Sequence, residues 1–124
     1  MKPIVLALAS VLIATPAFAI DFASPIKNLD GTPLHKSGGN DGPILTLGDV
    51  AETALVSDYR DEPNLDGAEK VKRFSIAKRI EDKRDNPTIS VEDIALIKKL
   101  IAKAYNPLVT GQSWSLLDPA AAPK

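Results

Sequence analysis

The chain has 124 residues with 15 basic and 16 acidic side chains, a net charge of −1 and no cysteine. This length fits one small domain, and near-neutrality argues against a dedicated binder of nucleic acid or anionic membranes. Without cysteine the chain forms no disulfide and no thiolate metal site, so its fold must rest on apolar packing.

Residues 1–19 have the layout of a secretory signal. A positive start precedes an apolar run over residues 4–13, and Ala17 and Ala19 give the small-x-small pattern that a signal peptidase cleaves after. A run of about ten apolar residues is too short for a bilayer core of about 30 Å. The pattern predicts cleavage before Ile20 and a periplasmic or secreted product without stable membrane insertion. The alternatives are an uncleaved anchor or a buried core helix.

Residues 20–45 are rich in turn formers and predict an irregular arm. Asp30-Gly31 suits a type I′ turn, which would close a short β-hairpin, and Ile44-Leu45 is placed to pair back on it. Pro25 and Pro33 restrict any strand here to an edge position.

Residues 46–118 predict a helical domain of four short helices. The first runs from Thr46, which opens a capping box, to about Ser57. Its apolar stripe consists of Leu47, Val50, Ala51, Ala54 and Leu55.

The second helix is predicted from about Asp66, as its N-cap, to Asp82. Its stripe follows an i+3 series of Ala68, Val71, Phe74, Ala77 and Ile80, with Ile76 beside it.

The third helix, from Val91 to about Tyr105, starts with a second capping box at Ser90, and we expect it to be central. Its apolar face comprises Ile94, Ile97, Leu100, Ile101, Ala104 and Tyr105.

The fourth helix starts at Pro107 and ends before Asp118-Pro119. Its stripe is Val109, Ser113, Leu116 and Leu117. Residues 119–124 are predicted to be a disordered tail. The fold class is therefore mostly α, with an irregular arm and short hairpin packed on about four helices.

Few residues suggest site chemistry. His35 is the only histidine, and no serine lies in a nucleophile elbow, so we interpret it as a loop residue. The acidic cluster of Asp58, Asp61, Glu62 and Asp66 could attract calcium, but its spacing does not match a calcium loop. We interpret it as a connector that faces the basic second helix. The sequence predicts no metal and no cofactor.

Two further segments have a functional alternative. Paired carboxylates such as Glu62 and Glu69 could serve a small cell-wall glycosidase, although few aromatic residues are present to line a sugar groove. Gly111-Gln112-Ser113-Trp114 combines poor helix formers with the only tryptophan. We favour Trp114 at the edge of the core, and the alternative is an exposed binding patch that includes Gln112 and Trp114.

Several segments resemble a loose group of small uncharacterised phage- and prophage-encoded proteins. They are Asp21–Leu34, Leu45-Thr46-Leu47-Gly48-Asp49-Val50, Ser90–Lys99 and Pro107-Leu108-Val109-Thr110-Gly111-Gln112. The resemblance covers most of the chain after residue 21 and implies no activity and no site residues. The export signal is a departure from that group.

The sequence favours an exported, non-catalytic interaction or structural module with a protein partner and no nucleic acid. The alternative is a small carboxylate-based cell-wall hydrolase.

Overall fold

The computed structural model describes residues 20–118, and these residues form a mostly helical fold. The arm is followed by α1 (Leu47–Val56), α2 (Gly67–Asp82), α3 (Val91–Ala104) and α4 (Pro107–Leu117). The predicted fold class is confirmed. The predicted signal at 1–19 and the predicted tail at 119–124 lie outside the described residues. Within residues 20–118, no helix combines the length and the apolar character needed to cross a membrane.

The arm is irregular, and its backbone pairs through isolated antiparallel bridges. These bridges join Pro25 with Thr46, Lys27 with Pro33, and His35 with Ile44. The predicted return of the Ile44-Leu45 segment is therefore present.

The predicted type I′ turn at the tip of the arm is wrong. In the described part of the chain, positive φ values occur only at glycines, so Asp30 cannot take the conformation that this turn requires. Instead, the Gly31 N–H donates to the Asn28 carbonyl at 3.0 Å, and Gly31 itself has a φ of 91°.

α1 lies in the middle of the fold, because it packs on α2, α3 and α4. α3, which we expected to be central, packs on α1 and α4 and has Ile97, Leu100 and Ile101 buried in the core. All five residues of the stripe predicted for α1 are buried. The largest fully buried side chains come from the arm and all four helices: Phe22, Ile26, Leu47, Leu55, Ile76, Ile80, Ile97, Leu100, Ile101 and Leu117.

Local capping interactions set the starts of three helices. Thr46 Oγ1 accepts from the Asp49 N–H at 3.2 Å, and Ser90 Oγ accepts from the Asp93 N–H at 3.0 Å, so both predicted capping boxes are present. The Asn106 side chain caps α4, which has Pro107 in its first turn. Asp66 occupies the N-cap position of α2, but its side chain makes no capping hydrogen bond.

The apolar stripe predicted for α2 is partly wrong. Ala77 and Ile80 are buried, whereas Ala68, Val71 and Phe74 are exposed. The reason is that Arg73 occupies the buried face of α2, where two hydrogen bonds of 2.9 and 3.0 Å join its guanidinium to Glu62.

The face predicted for α3 is also too long. Ile97, Leu100 and Ile101 are buried, but Ala104 in the last turn is exposed. Ile94 and Tyr105 are half-buried and pack against the core.

Gly48 allows the arm to lie directly against the first turn of α1. Its N–H donates to the Phe22 carbonyl at 2.7 Å. A Cβ at this position would lie 3.0 Å from the Phe22 carbonyl oxygen and 3.0 Å from the Arg84 guanidinium. A Cβ at residue 48 would therefore lie closer to both neighbours than an ordinary van der Waals contact.

We expect Gly48→Ala to destabilise the protein by about 1–2 kcal/mol, because the crowding outweighs the gain in helix propensity of about 1 kcal/mol. Gly67→Ala is the matched control, since Gly67 is also in the first turn of a helix and has nothing within 4 Å of the added methyl. Urea unfolding followed by circular dichroism measures both. A Gly48→Ala variant as stable as Gly67→Ala would contradict the crowding argument.

Candidate binding surface

α4 carries no charged residue along its sequence PLVTGQSWSLL. Val109, Ser113 and Leu117 form its buried row. Because a helix turns by about 100° per residue, the row of Pro107, Gly111 and Ser115 lies on the opposite side. A surface helix ordinarily carries charged or polar residues on its outer face, so an uncharged outer face is a candidate for contact with another molecule.

A groove of about 390 Å³ lies between the outer side of α4 and the tip of the arm. Leu29, at the turn of the tip, is 95% exposed and forms one wall. The residues that line this groove, which we call the α4 groove, are Leu29, Pro107, Leu108, Gly111, Gln112, Ser115 and Leu116. None of them is charged, so a ligand that enters the groove displaces water mainly from apolar surface.

Gln112 links the two sides of the α4 groove. Its Oε1 accepts from the Lys27 N–H in the arm at 3.4 Å. Gln112 lines the groove, and among residues 20–118 its side-chain nitrogen has no hydrogen-bond partner, so this amide can donate to a carbonyl.

Trp114 lies on the other flank of α4, next to α3. Its indole N–H donates to the Lys98 carbonyl at 3.0 Å, and Lys98 Nζ lies 4.8 Å from the ring centroid. The side chain is 40% exposed. Trp114 therefore covers the edge of the α3–α4 contact. The structure does not bring Trp114 and Gln112 into one patch, because the two lie on opposite flanks of the outer row.

His35 holds the loop of the arm together. Its Nδ1 lies 3.0 Å from the Gly42 carbonyl oxygen. In the described part of the chain, no serine hydroxyl and no carboxylate is hydrogen-bonded to this ring. This geometry agrees with the interpretation of His35 as a loop residue.

The acidic connector pairs with basic side chains. Asp61 accepts from Lys103 at 3.2 Å, and Glu62 binds Arg73 of α2 at 2.9 Å. No group of three or more carboxylate or imidazole side chains within residues 20–118 is arranged to hold a metal ion. The predicted contact of this connector with the basic helix is present for Glu62.

Glu62 and Glu69, the pair considered for a hydrolase, both contact Arg73. The hydrogen bond from Arg73 is the main reason that the pKa of Glu62 falls to about 2. A general acid needs a pKa raised toward neutrality, so this environment shifts Glu62 in the opposite direction.

A second charged cluster joins α1 to the end of α2. The Arg84 guanidinium contacts Asp49 at 2.9 Å, Glu52 at 3.2 Å and Glu81 at 3.1 Å. Lys36 of the arm also contacts Asp49. Burial, together with the neighbouring Glu81, raises the pKa of Glu52 to about 7 despite the opposing effect of Arg84.

This raised pKa predicts that Glu52 makes stability depend on pH. The folded protein binds the Glu52 proton up to about pH 7, whereas the ordinary pKa is 4.5. The stability that the folded protein gains by binding this proton is therefore full below pH 4.5 and is lost as the pH rises through 7. At pH 8, the free energy of unfolding of Glu52→Gln should exceed that of the wild type by on the order of 1 kcal/mol. Near pH 4.5 the two proteins should differ little in stability.

Urea unfolding between pH 4 and pH 8.5 measures this difference. Asp58→Asn is the control, because Asp58 is an exposed carboxylate in no ion pair with another described residue. Parallel stability profiles for Glu52→Gln and the wild type would refute the prediction.

Sequence reasoning missed the apolar walls of the α4 groove. The absence of charge from residues 107–117 was the available signal. Leu29 and Leu108 were not singled out, because only the folding of the arm onto α4 brings the tip beside the helix.

Of the three residues at the predicted cleavage site, the described residues include only Ile20. Ala17 and Ala19 lie outside the described residues. Ile20, the residue predicted to begin the mature chain, is buried in the core.

The chain matches no family model, and no similar protein was found among curated proteins or solved structures. The resemblance to small phage-encoded proteins therefore remains an expectation from sequence.

Proposed function

We propose that this protein is an exported, non-catalytic interaction module that binds a protein partner through the α4 groove. The observation that carries this proposal is the uncharged groove of about 390 Å³, bordered by a leucine that is 95% exposed. Exposure of an aliphatic side chain to water at the tip of a turn is unfavourable in the free protein. Covering this side chain with a partner therefore lowers the free energy.

The lining residues indicate which partner chemistry fits. Covering a leucine such as Leu29 contributes about 1.5–3 kcal/mol, and no ion pair among the lining residues has to be broken to allow it. The Gln112 side-chain nitrogen supplies one directional donor. The partner is therefore a protein segment that presents aliphatic side chains together with a backbone carbonyl.

The Arg73 cluster supports a non-catalytic role for Glu62 and Glu69. Arg73 holds Glu62 and Glu69 together, and the pKa of Glu62, at about 2, keeps this carboxyl ionised at neutral pH. These groups are occupied in joining elements of the structure.

Leu29→Asp should abolish partner binding without loss of stability, because Leu29 is almost fully exposed. Affinity capture from the exported fraction, quantified by mass spectrometry, compares this variant with the wild type. Val91→Asp is the matched control, since Val91 is 65% exposed and does not line the α4 groove. A partner captured equally by Leu29→Asp and the wild type would exclude the α4 groove as its site.

Export rests on the pattern of residues 1–19, and cleavage should follow Ala19. The protein produced in a secreting host should have the intact mass of residues 20–124. Ala19→Leu should block processing, because the peptidase pocket accepts a small residue there, whereas Phe18→Leu should still be cleaved. A full-length mass in the cytosol would contradict export, and a full-length mass in the membrane fraction would favour an uncleaved anchor.

A further inference from the structure

Three aspartates of this chain are followed directly by glycine: Asp30, Asp41 and Asp66. In such a pair the backbone nitrogen of the glycine can attack the side-chain carboxyl of the aspartate, because glycine has no Cβ to hinder the approach. The reaction needs a nitrogen and a carboxyl that other groups do not hold, and a backbone that can turn to bring them together. The folded protein meets these conditions differently at the three pairs.

Asp30 is held in place by the turn at the tip of the arm. Its Oδ1 accepts from the Thr32 N–H at 3.0 Å and from the Thr32 hydroxyl at 2.7 Å. The same two bonds lower the pKa of Asp30, so a smaller fraction of this carboxyl is in the neutral form that reacts. The Gly31 N–H donates to the Asn28 carbonyl at 3.0 Å. Both reacting groups of this pair are therefore engaged.

Asp66 is held by the start of α2. Its carbonyl accepts from the Lys70 N–H at 3.1 Å, and its backbone is extended, with a ψ of 142°. A five-membered ring can close only after the Gly67 nitrogen has turned to the side of the Asp66 Cβ. This rotation carries the carbonyl away from Lys70 and breaks a backbone bond of the helix. Reaction at Asp66 therefore requires local opening of the first turn of α2.

Asp41 and Gly42 lie in the loop of the arm, and both are exposed. Among residues 20–118, the Asp41 carboxylate accepts no hydrogen bond and forms no ion pair, and the Gly42 N–H has no acceptor. The Asp41 carbonyl accepts only from the exposed Ser37 hydroxyl at 3.2 Å, a donor that water can replace. His35 Nδ1 contacts the Gly42 carbonyl oxygen rather than its nitrogen. The two reacting groups of this pair are therefore free to meet.

We propose that Asp41 isomerises spontaneously to isoaspartate in the folded protein. In the first step the Gly42 nitrogen bonds to Asp41 Cγ. The nitrogen gives up its proton and the carboxyl its hydroxyl, so one water leaves as a succinimide ring closes. In the second step water opens the ring. Cleavage between the nitrogen and Cγ restores aspartate, whereas cleavage between the nitrogen and the main-chain carbonyl carbon of Asp41 gives isoaspartate.

The modification lengthens the backbone of the loop by one atom. In isoaspartate the chain runs through Cβ and Cγ of residue 41, and the former main-chain carbonyl becomes a free carboxylate. The Ser37 hydroxyl thereby loses its main-chain acceptor. Neither the capping boxes nor the α4 groove includes a residue of this loop, so isomerisation and partner binding can be tested separately.

Tryptic digestion provides a direct test, because it places the three pairs on separate peptides. These peptides are residues 28–36, 37–60 and 61–70. The folded protein is incubated at neutral pH and 37 °C, and isoaspartate in each peptide is quantified by mass spectrometry with electron-transfer fragmentation. Isoaspartate should form about tenfold faster at Asp41 than at Asp30 or Asp66, where ordered hydrogen bonds must break first. Equal rates at the three pairs, or a faster rate at either of the others, would overturn the proposal.

The same incubation in urea separates the effect of the fold from that of the neighbouring residues. Once the chain is unfolded, the three pairs should react at similar rates. A lead of Asp41 that persists undiminished in urea would show that the fold does not select this site, and would contradict the proposal.

Two variants check the assignment within the peptide 37–60. Asp41→Glu should abolish its isoaspartate signal, because a glutamate side chain closes the corresponding larger ring much more slowly. Asp58→Glu is the matched control, since Asp58 is an exposed carboxylate in the same peptide, and it should leave the signal unchanged. A signal that survives in Asp41→Glu would place the reaction at another residue and overturn the proposal.

Discussion

The Arg84 guanidinium is the interaction on which the arrangement of the arm, α1 and α2 depends. It donates to Thr46 Oγ1 at 2.8 Å and to Asp49 at 2.9 Å, and these two residues form the capping box of α1. The Arg84 carbonyl accepts from the Phe22 N–H at 2.7 Å. A single residue, Arg84, which follows the end of α2, therefore positions both the start of α1 and the first part of the arm. Charge-assisted hydrogen bonds of this kind are stronger than neutral ones and set orientation as well as distance.

The same junction reaches the α4 groove through the arm. Phe22 is held against Gly48 at one end of the arm, and Lys27 is bonded to Gln112 of α4 further along. Leu29 follows two residues after Lys27, so these two attachments determine where its side chain stands. The arm also has backbone pairings of its own, since the Asn28 N–H donates to the Thr32 carbonyl at 2.7 Å and the Leu34 N–H donates to the Ile26 carbonyl at 2.8 Å. The position of the tip is therefore set by these pairings together with the contacts to α1 and α4.

The helices and their starts could be predicted from sequence because their causes are local. A hydroxyl and a carboxylate three residues apart cap α1 and α3, whatever the rest of the chain does. The stripe of α1 was correct because all of its apolar residues repeat at true helical spacing. The stripe predicted for α2 was partly wrong because residues at i+3 spacing drift around the helix, so Ile80 is buried whereas Val71 is exposed.

The α4 groove could not be predicted to the same degree, because it depends on contacts between residues distant in sequence. Gln112 was noted for its unusual setting, but its bond to Lys27 spans 85 positions. The turn at the tip was predicted with the wrong conformation at Asp30, so the outward direction of Leu29 was not foreseen. The sequence of the fourth helix shows that it carries no charge. Only the fold shows that exposed Leu29 lies beside it.

The exposure of Val71 follows from the inward position of Arg73 and its ion pair. A guanidinium buried beside two carboxylates is well satisfied, but the cost of desolvating these charges offsets much of the gain. Such a pair therefore does less for stability than an apolar contact of similar size, although it constrains the rotation of α2 about its axis. With Arg73 turned inward to Glu62, Val71 must point outward, since two helical positions are separated by about 200°. The ion pair on the inner side of α2 thus accounts for the exposure of Val71 on its outer side.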